Sequence, residues 1–262
     1  MRVAHESPLE IFDLVQEQTD YDYALVHLFE TNKPYLNKFK EAVAKGRHVI
    51  LDNSLFELET PFDPERFAYW INELKPTEYI IPDALEDSYT TISNLNEWID
   101  LYKDKVSGKT IGVIQGRSYD DLVWCYQQVE PKVDKVAISF DYSWMAPVEG
   151  IRSNSIKCLM YMIGRQDLLA DLVRDGVINQ NKPHHLLGCF LPQEFKEYTK
   201  YTWVDTIDTS NPVVHGINHI RYTDSGLEDK VKTKLIEYMD RELTLRQVDD
   251  IFYNIRKFRE FV

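Results

Sequence analysis

The feature that most constrains the fold is a regular alternation of short extended runs with segments that have helical periodicity. β-branched and apolar runs end at Gly, Pro, Asn or Asp, and helical segments follow them. Eight strands that alternate with helices are typical of a (β/α)8 TIM-type barrel of about 250 residues, and the 262 residues here suit a single α/β domain of that class. A doubly wound open sheet is the alternative. The strands are predicted at 23–29, 48–52, 78–83, 110–115, 135–140, 185–189, 204–208 and 213–220.

The helical segments divide the chain around this core. Residues 1–20 are predicted to be an N-terminal extension packed on the barrel, 21–225 the barrel core, and 226–262 C-terminal helices. The longest connection between two predicted strands includes residues 147–181, and we expect this excursion from the barrel to be functional. No glycine-rich phosphate fingerprint follows the first predicted strand, which argues against a dinucleotide site. Helices are predicted at 11–17, 34–45, 64–74, 90–102, 119–129, 155–174, 192–201 and, with a break at 242–245, at 227–258.

Composition limits the class of protein. Apolar residues make up 44% of the chain, and no apolar run is long enough to cross a bilayer, so we expect a cytoplasmic protein with no membrane partner. Cys125, Cys158 and Cys189 are too widely separated for a disulfide framework or a zinc knuckle. We therefore expect buried thiols, no metal and no cofactor.

The net charge of −13 is unfavourable for a nucleic-acid partner, which would require a locally basic face. No long basic cluster stands out. Lys230, Lys232 and Lys234 alternate by two on a predicted helix and would spread around it. Arg117 is the best single candidate for a phosphate contact.

Polar residues end several of the predicted strands. Each has the same parity as an apolar residue earlier in its strand, so in a barrel all would point toward one mouth. Asp208, for example, shares a face with Val204 and Thr206, whereas Asp205 lies on the opposite face and is expected to be structural. A capped turn is the ordinary explanation for each residue taken alone. The strand-end residues are Asp52, Asp83, Gln115, Ser139 and Asp208.

Carboxylates that converge on one substrate suit glycosidic-bond chemistry, in which one acid attacks the anomeric carbon and another transfers a proton. Asp83 and Gln115 have the donors and acceptors to read the edge of a heterocyclic base. Gly116, directly after Gln115, would let backbone and side chain approach a planar ligand.

Beyond these patterns, the motifs resemble those of the tRNA-guanine transglycosylase superfamily, whose (β/α)8 barrels exchange guanine in nucleic acid for a 7-deazaguanine base. The matches follow the family order from Asp52 to Pro212. They comprise Asp52-Asn53-Ser54-Leu55-Phe56-Glu57, Ile81-Pro82-Asp83, Ile111-Gly112-Val113-Ile114-Gln115-Gly116, Lys135-Val136-Ala137-Ile138-Ser139, Pro183-His184-His185-Leu186-Leu187-Gly188 and Val204-Asp205-Thr206-Ile207-Asp208.

The resemblance implies a role for each matching position. Asp208 would be the nucleophile on C1′ and Asp52 the general acid and base. Asp83 and Gln115 would hold the edge of the base, with a backbone contact near Ser139. Together with the residues expected from the patterns above, the predicted substrate-binding residues are Asp83, Gln115, Gly116, Ser139, Phe56 and Arg117.

Departures from the family pattern bear on the substrate. The zinc ligands of the tRNA enzymes and the arginines after the nucleophile are missing, and bulkier residues replace two glycine pairs. The chain is more similar to a compact, zinc-free, DNA-modifying branch found in phages and bacterial modification islands. We therefore expect DNA rather than tRNA as the polymer, with a free guanine or 7-deazaguanine base as the second substrate.

Other functions remain open from the sequence. The same acids would serve a hydrolase of nucleosides or nucleotides, which the acidic composition favours. A non-catalytic barrel that binds nucleic acid is the third alternative. Either a homodimer or a complex with a partner subunit is compatible with the sequence.

Overall fold

The computed structural model describes residues 1–146 and 151–262 and shows eight parallel strands surrounded by helices. The strands are β1 Arg2–His5, β2 Asp22–Leu25, β3 Val49–Asp52, β4 Glu78–Ile80, β5 Lys109–Ile114, β6 Lys135–Ile138, β7 His184–Leu186 and β8 Val204–Thr209. The helices are α1 Phe12–Gln16, α2 Val26–Thr31, α3 Lys33–Ala44, α4 Leu55–Leu58, α5 Pro64–Leu74, α6 Ser88–Leu101, α7 Tyr119–Val129, α8 Asn154–Arg174, α9 Asn211–Ile217 and α10 Leu245–Phe258. Short 3-10 turns connect several of them, including Pro192–Tyr198 and Leu235–Tyr238.

The strand order β1-β8-β7-β6-β5-β4-β3-β2 gives a nearly closed (β/α)8 barrel, and the predicted fold class is confirmed. The seam lies between β1 and β2. There, the Asp20 amide donates to the Val3 carbonyl at 2.8 Å, and side chains add further bonds: the Asp20 carboxylate accepts the Val3 amide at 2.7 Å, and the Thr19 hydroxyl accepts the His5 amide at 3.0 Å. The Tyr21 hydroxyl also crosses the seam to the Ile207 carbonyl at 2.6 Å.

Seven of the eight predicted strands correspond to observed strands, one predicted strand is wrong, and one observed strand was not predicted, so the total is still eight. Arg2–His5, inside the predicted N-terminal extension 1–20, is β1 and pairs with β8 from Thr206 to Thr209. The predicted strand 213–220 is instead occupied by α9, whose seven residues are all buried. Because a helix buried on every side shows no polar face, its β-branched residues gave the pattern of a buried strand.

Two other predicted segments also differ. The strand predicted to reach Phe29 ends at Leu25, and α2 begins at Val26. The helix predicted from residue 227 is absent, and α10 begins only at Leu245, after a Thr244 capping box. In the segment before α10, side chains of other elements form hydrogen bonds with the backbone of residues 227–231. These backbone groups are therefore satisfied without a helix. Helix α8 confirms the helix predicted at 155–174, while residues 147–150 of the predicted excursion lie outside the described residues.

The two ends of the barrel interior have different chemistry. At the amino ends of the strands, Lys135 is almost fully buried and pairs with Glu78 at 2.6 Å and with Asp205 at 2.9 Å. Asp205 also binds Arg2, so it lies in a structural ion-pair network, as its parity predicts. The carboxyl ends of the strands open into a cavity. In the described part of the chain, no helix is long and apolar enough to span a membrane.

Candidate active site

The cavity at the carboxyl ends of the strands has a volume of about 130 Å³, roughly ten times what one water molecule needs. The strand-end residues Asp52, Asp83, Gln115, Ser139 and Asp208 all line it, as the parity argument predicts. Phe56 lies exposed at its rim and packs against Phe140, with ring centroids 5.7 Å apart. The cavity therefore collects side chains from five different strands or strand ends.

Asp208 is held by one carboxylate oxygen. Its Oδ1 lies 3.0 Å from Nε2 of His185 and 3.3 Å from the amide nitrogen of Gly188. The other ring nitrogen of His185 lies 2.9 Å from the Thr206 hydroxyl, which fixes the ring on both sides. Among the described residues, no hydrogen bond reaches Oδ2 of Asp208. One oxygen is therefore anchored, and the other is left for a substrate.

Asp52 is connected to the same assembly through Tyr23. The Tyr23 hydroxyl donates to Oδ2 of Asp52 at 2.5 Å, and the Ser54 amide donates to Oδ1 at 2.5 Å. The Tyr23 ring stacks on His185 with centroids 5.7 Å apart. Burial, together with the charges of Glu57 and Asp208, raises the pKa of Asp52 well above its ordinary value. Asp52 is thus suited to carry a proton at neutral pH.

Asp83 is buried and bonded on both oxygens by amide side chains. Asn53 Nδ2 donates to Oδ1 at 2.8 Å, and Gln115 Nε2 donates to Oδ2 at 2.7 Å. The Gln115 carbonyl oxygen accepts the Glu86 amide at 3.0 Å. Burial raises the pKa of Asp83 even though both amides favour its ionised form. These contacts fix the planes of the Asp83 and Gln115 side chains at one wall of the cavity.

Two further acids, which the sequence patterns did not single out, also line the cavity. Glu6 follows β1, and burial with the charge of Asp208 raises its pKa well above the ordinary value. Glu57 lies on α4. Its side chain as a whole is exposed, but desolvation of its carboxyl group beside the cavity and the charge of Asp208 raise the pKa to about 7. Glu6 was missed because β1 was not recognised. Glu57 was quoted in a motif, but strand parity does not extend to a helix.

No family model matches this chain, and no curated protein matches it significantly.

The structure does not bring every candidate residue into the cavity. Gly116 and Arg117 are not part of the described lining. A Cβ on Gly116 would lie 2.8 Å from the Leu122 amide nitrogen, so this glycine allows β5 to end close against α7. Arg117 is exposed, and its amide bonds Asp121 at 2.9 Å. Neither residue therefore lines the cavity, and the Arg117 side chain lies at the surface.

Ser139 lies in the lining, but its polar groups are already bonded. Its amide donates to the Tyr142 hydroxyl at 3.1 Å, and its hydroxyl donates to Asp141 at 2.6 Å. A backbone contact from the Ser139 N–H to a ligand would require Tyr142 to move.

A buried ion pair supports the loop that holds Asp208. Arg165 of α8 pairs with Glu194 at 2.5 Å, and both side chains have 1% or less of their surface exposed. The other guanidinium nitrogens donate to the carbonyls of Leu187 at 2.8 Å and Gly188 at 2.9 Å. The same Gly188 supplies the amide that bonds Asp208. Helix α8 therefore positions the nucleophile candidate through this loop.

In the part of the chain that the structure describes, His184 and the cysteines make no hydrogen bond to Asp208 or Asp52. His184 bonds Tyr126 and Lys182, and the three cysteines are buried and free. Within the described residues, no group of three or more His, Cys, Asp or Glu side chains is arranged to hold a metal ion. Among the acids that line the cavity, Asp208 has one carboxylate oxygen without a hydrogen-bond partner in the described residues, and Asp52 has a raised pKa.

Proposed function

We propose that this protein is a transglycosylase that exchanges guanine in DNA for a free 7-deazaguanine base through a covalent intermediate on Asp208. The observation that supports this most is the half-free carboxylate of Asp208. His185 and Gly188 hold Oδ1, and Oδ2 has no partner among the described residues. A nucleophile needs this combination of fixed orientation and an open lone pair.

In the first half-reaction, Oδ2 of Asp208 attacks C1′ of the target nucleoside. The bond between C1′ and the base nitrogen breaks, and its electron pair stays on the base. Asp52 supplies the proton that makes the departing base neutral, a task that its raised pKa favours. The sugar is then an ester of Asp208.

In the second half-reaction, the incoming base attacks C1′ and its proton passes back to Asp52. The ester bond breaks, and the electron pair returns to Asp208. Two displacements retain the configuration at C1′. Asp83 and Gln115 bind the edge of either base, since together they present fixed acceptors and donors at one wall. The target nucleotide must leave its stack to reach this wall.

The proposal is tested by incubating the protein with labelled guanine or 7-deazaguanine and with DNA or tRNA. We expect incorporation into DNA, and a DNA–protein adduct on a denaturing gel when free base is omitted. Asp208→Asn should lose at least about 10³-fold of the exchange rate and form no adduct.

Asp205→Asn is the matched control, because the same change on the same strand falls in the structural ion-pair network. It should keep exchange activity in samples that remain folded. A fully active Asp208→Asn protein, or no incorporation into either polymer with any of these bases, would contradict the proposal.

A nucleoside hydrolase is the second candidate, and the lining favours it in one respect. Five carboxyl groups surround the cavity, which suits a small neutral substrate better than a polyanion. Release of free base without incorporation into a polymer would identify this activity.

A further inference from the structure

The segment 227–231 crosses beside the cavity in a fixed, non-helical conformation. Gln193 bonds both backbone groups of Leu227, at 3.0 Å and 2.6 Å. Asn154 at the start of α8 donates to the Lys230 carbonyl at 3.0 Å. Nε2 of His215 lies 3.4 Å from the Val231 amide nitrogen. Three different elements therefore fix the backbone on either side of Lys230.

This backbone directs the Lys230 side chain into the cavity lining. Its ammonium group lies over two aromatic rings, 4.6 Å from the centroid of Phe140 and 4.8 Å from that of Phe190. Among the described residues, Nζ of Lys230 makes no hydrogen bond and no ion pair within 4.0 Å. Cation–π contacts hold the group in place but leave its three N–H donors unused.

The Lys230 ammonium group shares the cavity with acidic side chains. Lys230 is the only cationic side chain among the described residues that line the cavity, which also contains five carboxyl groups. Burial lowers the pKa of Lys230, and the charges of Asp141 and Glu6 only partly oppose that effect. An anion that bonded the free donors would remove much of this desolvation penalty.

We propose that Lys230 binds a phosphodiester group of the DNA strand next to the nucleotide in the cavity. This inference rests on the proposed function and deepens it. A nucleotide attacked at C1′ carries a phosphate on each side of its sugar, so an anion necessarily accompanies the base to this site. The Lys230 ammonium group is already held in place by two aromatic rings. It therefore gives an acidic protein one local contact for a polyanion.

The test measures binding separately from turnover. A fluorescein-labelled single-stranded oligonucleotide that contains one guanine is titrated with the full-length Asp208→Asn protein, in which no ester forms. Adding Lys230→Met should weaken binding about tenfold and reduce the slope of log Kd against log salt by about 0.7, the value for one phosphate contact on single-stranded DNA. Lys230→Arg should keep most of the binding, because the positive charge remains.

Lys232→Met is the matched control, since it removes the same charge from an exposed residue two positions after Lys230. It should leave the affinity and the salt slope close to those of the parent. Circular dichroism verifies that each variant is folded, and only folded variants are compared.

Several results would overturn the inference. Unchanged binding in folded Lys230→Met, an equal loss in Lys232→Met, or Lys230-dependent binding of tRNA without binding of DNA would each do so. If DNA binding depends on Lys230 but no base exchange occurs, the phosphate contact stands and the proposed transglycosylase function fails.

Discussion

The buried pair of Arg165 and Glu194 allows a sharp test of how the loop under Asp208 is supported. Arg165 makes three contacts, to the Glu194 carboxylate and to the carbonyls of Leu187 and Gly188. Arg165→Met keeps a long apolar side chain but removes the charge and every donor. Glu194 would then keep only the Tyr198 hydroxyl at 2.5 Å as a side-chain donor among the described residues.

The size of the effect follows from the burial. Removing one partner of a buried ion pair costs about 3–5 kcal/mol, because the other charge stays buried without compensation. A carbonyl that loses its donor costs about 1–3 kcal/mol more when water cannot reach it. Leu187 and Gly188 are only half-buried, so water partly replaces the guanidinium. We expect a loss of about 5 kcal/mol in the free energy of unfolding and about 10–20 °C in Tm.

Urea denaturation followed by circular dichroism measures this loss. Arg174→Met is the control on the same helix, because Arg174 pairs with Asp171 and Asp175 at the surface, where its side chain is 66% exposed. It should leave the free energy of unfolding almost unchanged, because solvent screens an exposed ion pair. A loss below about 1 kcal/mol in Arg165→Met as well would refute the reasoning, since the buried pair would then behave like a surface one.

Two further substitutions probe the cavity itself. Glu57→Gln removes a charge that raises the pKa of Asp52. In the pH profile of kcat/KM, the limb on which Asp52 loses its proton should therefore move to lower pH. An unchanged limb would contradict the coupling between the two acids. The pKa of Glu57 is raised to about 7, so its protonation contributes fully to stability below pH 4.5, and this contribution is lost as the pH rises through 7. Urea titrations at pH 5 and 8 should show this loss of stability in the parent protein, and Glu57→Gln should lack it. Gly188→Ala should lower both stability and exchange rate, because at a φ of +53° its Cβ would lie 2.8 Å from Phe140. Gly176→Ala has similar backbone strain with open space around it, so it should cost only the strain, about 1–2 kcal/mol, and equal losses in the two variants would argue against the Phe140 contact.

The candidate site was predictable where it depends on strand parity. Asp52 and Asp208 lie near the ends of their strands, each with an apolar residue earlier on the same face, and side chains that alternate along parallel strands must meet at one mouth. Tyr23 and His185, which link these two acids, were not predicted for that role. Their importance lies in a hydrogen bond and a ring stack between strands that are far apart in sequence.

The position of Lys230 also could not be predicted from local sequence patterns. Its alternation with neighbouring lysines suggested a helix surface, whereas Gln193, Asn154 and His215 hold the segment in an irregular path. Contacts of this kind come from residues distant in the chain, so local periodicity contains no record of them.

The sequence by itself determined the alternation of strands and helices, the barrel class and the five polar strand ends, because these depend on local periodicity and on the pleat of a strand. The tertiary structure decided which segment supplies the first strand, that 211–217 is a helix, and which acids and cations join the cavity. Burial on all sides erases the helical pattern, and β1 pairs with β8, which is far away in the sequence. For the same reason, the free oxygen of Asp208 and the unpaired ammonium of Lys230, on which the two proposals rest, become visible only when the chain is folded.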